Sequence, residues 1–138
     1  MTDRLSPEDR SRNMAAIRSK GMKPERIVRS LVHRMGYRYR LHRKGLPGKP
    51  DLVFGPRRKV IFVHGCFWHQ HDDPACKIAR KPKSNQGYWD EKLARNVARD
   101  KRNQAGLEAQ GWSVLIIWEC ETKDVEALKG ILQRFLSP

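Results

Sequence analysis

The sequence lacks any long run of apolar residues. The chain has 138 residues, of which 38% are hydrophobic, and its mean hydropathy is −0.76. None of its apolar stretches approaches the ~20 residues that span a bilayer. Residues 1–12 are polar and hold no apolar segment of the kind that marks a secretory signal. We therefore expect neither a membrane protein nor a secreted one, but a single cytoplasmic domain over residues 1–138.

Acidic residues are scarce relative to basic ones. Fifteen Asp and Glu stand against 29 Lys and Arg, which gives a net charge of +14. The excess is uneven: residues 1–50 carry 14 basic and 4 acidic residues, residues 51–86 carry 7 and 3, and residues 87–138 carry 8 of each. A basic half of this kind is typical of a surface that contacts a phosphate backbone. We expect a nucleic-acid partner; the alternative is a basic surface that is merely well solvated.

Cysteine is also rare, and the number is odd. Three Cys in a reducing compartment exclude a disulfide framework as the main source of stability. Cys66, His71 and Cys76 are evenly spaced in one segment, and Cys120 follows the apolar run that ends at Trp118. Three thiolates and one imidazole are a ligand set for tetrahedral Zn²⁺. The alternative is three buried thiols beside a surface histidine.

The hydrophobic pattern predicts alternating helices and strands. Apolar residues recur at helical spacing over residues 27–35, whereas residues 59–64 and 112–118 are apolar and largely β-branched, as strands are. We expect helices at residues 9–20, 24–35, 87–110 and 125–136, and strands at residues 37–42, 51–54, 59–64 and 112–118. Residues 65–85 show no periodicity. The predicted fold class is α/β, with a mixed sheet of about four strands flanked by helices in three layers.

A carboxylate stands at the start of one predicted strand. Asp51 follows Pro50 directly, and the next strand ends at His64, so both lie at one end of a small sheet. Glu25, in the first turn of a helix, can bring a second carboxylate to the same place. Carboxylates and backbone carbonyls are ligands for Mg²⁺. The alternative is that Asp51 and Glu25 cap helices or pair with the many basic residues.

Large aromatic side chains lie in and beside the irregular segment. Phe67 and Trp68 fall within it, and Tyr88 and Trp89 begin the long predicted helix. Exposed apolar residues in a basic loop are costly unless they insert into a partner, and apolar wedges between base pairs unstack and kink DNA. The alternative is a small core beneath the loop.

These motifs, in this order, resemble those of the very short patch repair (Vsr) endonucleases. The resemblance covers residues 10–120 and is carried by residues 12–17 (RNMAAI), 46–51 (LPGKPD), 60–69 (VIFVHGCFWH), 88–92 (YWDEK) and 111–120 (GWSVLIIWEC). It implies a restriction-endonuclease-like fold with a zinc-stabilised loop. It also implies a Mg²⁺-dependent enzyme that nicks one strand 5′ of the thymine in a T:G mismatch, the product of 5-methylcytosine deamination. A cytosine methyltransferase and repair proteins are then functional partners, and the enzyme acts as a monomer on the nucleoid.

The resemblance also implies roles for individual residues. Asp51 and the backbone carbonyl of Val63 resemble the Mg²⁺ ligands, and His69 resembles the residue that activates the attacking water. The residues that hold metal-bound waters are Glu25, His64 and Asp100, and the structural zinc ligands are Cys66, His71, Cys76 and Cys120. The residues that contact or wedge the DNA are Met14 and Ile17 in a helix within residues 1–20, Phe67 and Trp68 in a zinc and aromatic loop over residues 65–86, and Trp89, Lys92 and Asn96 on the long helix.

Two positions depart from the family pattern. Val63 stands where a threonine is familiar, so a carbonyl ligand is retained but a hydroxyl is not. The segment between His69 and Cys76 is longer than in relatives, which leaves His69 and His71 as alternative zinc ligands; the even spacing favours His71. Two other functions remain open: a non-catalytic, zinc-stabilised DNA-binding module, and a nuclease of this fold with a different DNA substrate.

Overall fold

Residues 23–41 and 43–137 are described by the computed structural model of the chain. The helix predicted over residues 9–20, and with it Met14 and Ile17, lies outside these ranges. Over the described residues, no helix combines the length and the apolar character that crossing a membrane requires.

The described residues form a mixed sheet of three strands in the order β1-β2-β3. The strands are β1 (Leu52–Phe54), β2 (Lys59–His64) and β3 (Ser113–Trp118). β1 runs antiparallel to β2 through a tight turn at residues 55–58, and β3 runs parallel to β2, with His64 opposite Trp118. The start of β1 and the ends of β2 and β3 therefore meet at one edge, which we call the site edge.

The predicted fourth strand is wrong. Of the predicted strand, residues 37–41 are described, and they contribute only one bridge, in which Arg40 and Val53 exchange backbone hydrogen bonds of 2.9 Å in both directions. β1 has only three residues, so the preceding segment has little strand to pair with. The sheet within residues 23–41 and 43–137 thus has three strands rather than about four.

Helices cover the sheet much as the periodicity predicts. They are α1 (Pro24–Arg34), α2 (Gln86–Ala109) and α3 (Val125–Leu136), with a 3₁₀ helix at Glu119–Lys123 between β3 and α3. Each end differs from the prediction by at most one residue. Pro24 opens α1, where its missing N–H costs no hydrogen bond. Asp124 caps α3 by accepting a hydrogen bond from the Ala127 N–H at 3.1 Å.

Two buried clusters lie on opposite faces of the sheet. Because strand side chains alternate between faces, Leu52 and Phe54 pack with α1 and α3, whereas Val53 packs with Leu107 of α2 and with Trp112. β3 behaves in the same way, with Leu115 and Ile117 toward the first cluster and Val114 and Ile116 toward the second. The architecture is a three-layer α/β/α arrangement, as predicted.

Residues 65–85 connect β2 to α2 with neither helix nor strand. This segment, which we call the long loop, begins at the site edge. The loop and α2 therefore both bring side chains to the edge where β1 starts and β2 ends.

Candidate functional site

Asp51 is held at the site edge by a backbone contact. Its Oδ2 accepts a hydrogen bond from the Val63 N–H at 2.6 Å. The contact arises because β1 is antiparallel to β2, so the residue before β1 lies beside the end of β2. In an extended strand the N–H and C=O of one residue point to the same side, so the Val63 carbonyl points toward the side of Asp51.

His69 and Asp100 form a close pair across the cleft from Asp51. The His69 Nδ1 lies 2.6 Å from the Asp100 Oδ2. Asp100 projects from the middle of α2 and His69 from the long loop, so the pair ties the two together. A carboxylate on one ring nitrogen fixes the tautomer and leaves the other nitrogen for chemistry.

His64 stacks on His69. The ring centroids are 3.8 Å apart and the planes differ by 8°. Burial, and then the neighbouring His69, lower the pKa of His64 to about 4, although Asp100 opposes that shift. His64 is therefore neutral near pH 7.

These side chains line one cleft of about 190 Å³. Its walls include Asp51, Val63, His64, His69 and Asp100. Glu25 is not among the lining residues; its Oε1 atom is buried and has no hydrogen-bond partner in the described part of the chain. The structure therefore brings five of the six predicted catalytic and magnesium-site positions together, and the sixth, Glu25, lies in the first turn of α1 and does not line the cleft.

The cleft also contains residues that the sequence reasoning missed. Lys49, Asn103 and Gln104 line it. Two signals were available: Lys49 stands just before Pro50 and Asp51, and Asn103 and Gln104 follow Asp100 by three and four residues, the spacing of one helix face.

The Cys and His residues assigned to zinc meet in one place. The ligand atoms of Cys66, His71, Cys76 and Cys120 all lie within 4.8 Å of one another. The His71 Nδ1 is 3.7 Å from the Cys66 Sγ and 3.3 Å from the Cys120 Sγ. Tetrahedral zinc with its usual bond lengths of ~2.0–2.3 Å sets such atoms roughly 3.5–3.8 Å apart. Of the two candidate histidines, His71 joins the thiols, whereas His69 faces Asp100.

The three thiols differ in proton affinity. Burial raises the pKa of Cys66 to about 12 and also raises that of Cys120. Burial also favours a higher pKa for the Cys76 thiol. Hydrogen bonds, of which the one with His71 is the strongest, together outweigh this effect and lower the pKa of Cys76 to about 7. Metal binding to this set therefore releases protons.

Aromatic residues form a partly exposed cluster beside the Cys and His residues. Phe67, Trp68 and Trp89 contact one another with ring centroids 5.1–5.9 Å apart. Trp68 is 48% exposed, whereas Phe67 and Trp89 are half-buried. The Lys92 Nζ lies 5.7 Å from the Trp68 ring, and the Asn96 Nδ2 donates to the Trp68 carbonyl at 3.1 Å. Three residues of α2, namely Trp89, Lys92 and Asn96, therefore hold the aromatic cluster in place.

The fold matches that of a known nuclease. The catalytic domain of the homing endonuclease I-Bth0305I aligns with a TM-score of 0.59, covering 83% of this chain and 94% of that domain at 23% identity. The likeness confirms the restriction-endonuclease-like fold.

The family follows from the sequence. The model of the DNA mismatch endonuclease Vsr family matches residues 2–75, and the chain belongs to that family. It is 54% identical over 138 residues to the type II nicking enzyme V.XorIIP of Xanthomonas oryzae pv. oryzae, covering 100% of this chain and 99% of that one. It is 40% identical over 128 residues to the DNA mismatch endonuclease Vsr of Escherichia coli K12, and the match covers 93% of this chain and 80% of that one. The chain is therefore a DNA endonuclease, and the alternative of a non-catalytic binding module is wrong.

Proposed function

We propose that this endonuclease nicks one strand 5′ of the thymine in a T:G mismatch left by 5-methylcytosine deamination, and that it requires Mg²⁺. The observation that carries the catalytic part is the Asp51 contact with Val63 beside the His69–Asp100 pair, all in one cleft. The chain then works as a single cytoplasmic domain and as a monomer, functionally linked to a cytosine methyltransferase and to repair proteins.

The residues at the site edge fit a magnesium ion. Mg²⁺ takes oxygen ligands, keeps several waters and needs only one or two carboxylates, and Asp51 with the Val63 carbonyl would supply the protein oxygens. Two buried atoms, the Glu25 Oε1 and the His64 Nδ1, have no hydrogen-bond partner among the described residues. Buried polar atoms of this kind are satisfied by ordered water, which supports the outer role proposed for Glu25 and His64.

In this proposal His69 is the proton acceptor. Bound magnesium supplies charge neutralisation at the scissile phosphate and acidifies a coordinated water. The nitrogen of His69 that does not face Asp100 accepts the proton of the attacking water. Asp100 holds the ring in place and stabilises the imidazolium that forms. Val63 contributes only its backbone, because its side chain has no hydroxyl.

The zinc set has a structural role in this proposal. Cys66 and Cys76 belong to the long loop, whereas Cys120 belongs to the 3₁₀ helix after β3. An ion held by all four ligands would close the tetrahedral site completely, as structural zinc does. Zn²⁺ then fixes the loop to the sheet and orients the aromatic residues that the loop carries.

The aromatic cluster provides the mismatch preference. Phe67, Trp68 and Trp89 enter the base stack, and Met14 and Ile17 approach from the opposite groove. A mismatched pair is easier to unstack than a matched one. Lys92 and Asn96 contact the DNA beside the wedge. Selectivity then arises from the lower cost of deforming the T:G site together with contacts to base edges.

A nicking assay tests the proposal. Labelled duplexes that differ only at one base pair (T:G, C:G, T:A and the other mismatches) are incubated with and without Mg²⁺. We expect a single nick 5′ of the mismatched thymine, in the T:G duplex only, and only with Mg²⁺. Equal nicking of matched duplexes would instead establish a nuclease with a different DNA substrate.

A further inference from the structure

A second groove lies between the segment that precedes β1 and the turn that follows it. It encloses about 460 Å³ and is lined by Arg38, Tyr39, Arg40, Arg43 and Val53, together with Gly55 and Pro56. No Asp or Glu is among these lining residues. Val53 and Gly55 follow Asp51 by two and four positions through β1, so at ~3.3 Å per residue these lining residues lie roughly 7–13 Å from Asp51.

Two arginine side chains in this groove have no partner among residues 23–41 and 43–137. The side chains of Arg38 and Arg40 are exposed, and neither guanidinium makes a hydrogen bond, ion pair or ring contact with any residue in the two described ranges; the two hydrogen bonds between Arg40 and Val53 are backbone bonds. They are two positions apart in an extended segment that bridges to β1 through Arg40, so both side chains project to the same side. Their guanidinium groups are available to a ligand.

The neighbouring arginines show the contrast. The Arg57 Nη1 donates to the Leu136 carbonyl at 3.0 Å, and the Arg58 Nη2 donates to the Gln110 carbonyl at 2.7 Å. The Arg58 guanidinium also lies 4.5 Å from the Trp112 ring centroid. These two side chains serve the fold, whereas Arg38 and Arg40 do not.

Arg43 completes the groove at its rim. Its guanidinium lies 5.6 Å from the centroid of Trp112, which is 4% exposed. Stacking of this kind pre-orients the planar fork and leaves its N–H groups to face a partner. Three arginines around an apolar floor of Tyr39 and Val53 present a donor array that suits phosphate oxygens.

We infer that this groove, defined by Arg38, Arg40 and Arg43, binds the phosphodiester backbone of the duplex that flanks the nick. The inference rests on the action of the protein on DNA and adds a contact away from the mismatch. Each strand of the duplex carries one phosphate per ~3.4 Å of helix axis, so a distance of roughly 7–13 Å along β1 corresponds to phosphates about two to four nucleotides from the cut. Such contacts fix the register of the protein on the duplex but read no sequence.

The salt dependence of binding tests the inference. We compare the full chain with its R38Q/R40Q variant for affinity to matched and T:G duplexes across a series of salt concentrations. Each phosphate contact contributes about −0.9 to the slope of log K against log salt, so the slope for the variant should be less steep by about 1.8. The loss should be equal for both duplexes, and the nicking rate at saturating T:G duplex should stay unchanged.

Two control variants test whether the position of the two arginines determines the salt dependence, or only the net charge of the protein. K123Q/R134Q removes the same charge from two exposed residues outside the groove and should leave the slope near that of the unmodified chain. R38K/R40K keeps the charge and should recover most of the slope. An R38Q/R40Q slope equal to that of K123Q/R134Q would overturn the inference.

Duplex length gives an independent reading. On a duplex trimmed to the base pairs around the mismatch, R38Q/R40Q should bind like the unmodified chain, because the flanking phosphates are gone. An equal defect on short and long duplexes would contradict the assignment. These binding measurements need no cleavage. A failure to nick the T:G duplex would therefore refute the proposed function, but the binding measurements would still test the phosphate contacts of the groove.

Discussion

The His69 Nδ1 and the Asp100 Oδ2 lie 2.6 Å apart, although 31 residues separate them in the chain. His69 belongs to a loop without regular structure, and Asp100 belongs to the middle of α2. The pair therefore restrains a loop residue by a residue on a rigid element. Precise placement of a proton acceptor depends on support of this kind.

Replacing Asp100 with Asn should slow nicking without weakening DNA binding. The amide keeps the size of the side chain but removes the charge that stabilises a protonated His69. We expect the single-turnover rate to fall by about 10²–10⁴-fold, the usual range for a lost acid–base contribution. Affinity for a T:G duplex, measured in the same buffer, should be unchanged; a normal rate in this variant would remove Asp100 from the mechanism.

Asp51→Asn should abolish Mg²⁺-supported nicking. The carboxamide oxygen can still accept the Val63 N–H, so the fold at the site edge is preserved, but the negative ligand is gone. Because a bound metal ion is worth several kcal/mol in the transition state, we expect a loss of roughly 10³-fold or more. Asp51→Ala should give the same loss with DNA binding retained. Cleavage surviving in either variant with Mg²⁺ present would contradict the assignment.

Metal analysis should find one zinc per chain, and Cys66→Ser should release it. Cys66 is fully buried among the other ligands, so its loss opens the site and lowers the melting temperature. His71→Gln should also lose zinc, whereas His33→Gln, an exposed histidine on α1, should keep it. An unchanged zinc content in Cys66→Ser would reject this ligand set.

Trp68→Ala should weaken discrimination of the mismatch while leaving the fold stable. Trp68 is 48% exposed, and exposed substitutions usually change the free energy of unfolding by no more than about 0.5 kcal/mol. Stacking on a base is worth ~1–3 kcal/mol, so affinity for the T:G duplex should fall by about 5- to 150-fold. Trp68→Phe should retain part of it. Equal losses on matched and mismatched duplexes would argue against a wedge.

Gly48→Ala should damage the site more than Gly45→Ala. Both glycines have positive φ, +77° and +88°, so both substitutions carry a similar backbone strain of about 1–2 kcal/mol. Only at Gly48 would the new Cβ lie 2.9 Å from the Asn103 Cβ; at Gly45 nothing lies within 4 Å. We expect Gly48→Ala to lose a further ~1–3 kcal/mol of stability and to nick more slowly, because the displaced loop leads into Asp51. Equal stabilities and rates would contradict this.

Much of the fold followed from local patterns. The apolar spacing in α1 and α3 and the β-branched run of β2 each belong to a long, strongly periodic or clearly apolar segment, and their bounds were predicted within one residue. The extra strand at residues 37–42 was not recoverable in this way. Alternation predicts an extended conformation, but the number of hydrogen bonds depends on the length of β1, a property of the partner strand rather than of the segment.

The site was predictable in part, because its chemistry is concentrated in unusual residue types. Cys66, His71 and Cys120 stand out in a chain with so few cysteines. Lys49, Asn103 and Gln104 are common residue types on polar surfaces, and only the packing of the loop before β1 against α2 brings them into the cleft. The stacking of His64 on His69 likewise depends on how the long loop turns back over the end of β2.

The continuous course of α2 has one more consequence. Trp89 lies near its first turn and Asp100 lies eleven residues further on, so at 1.5 Å per residue the helix sets them roughly 16 Å apart. Under the proposed roles, the length of α2 between Trp89 and Asp100 fixes the distance from the opened base step to the bond that is cut. The position of the nick relative to the mismatch is then set by a continuous helix, and no flexible joint within α2 can alter it.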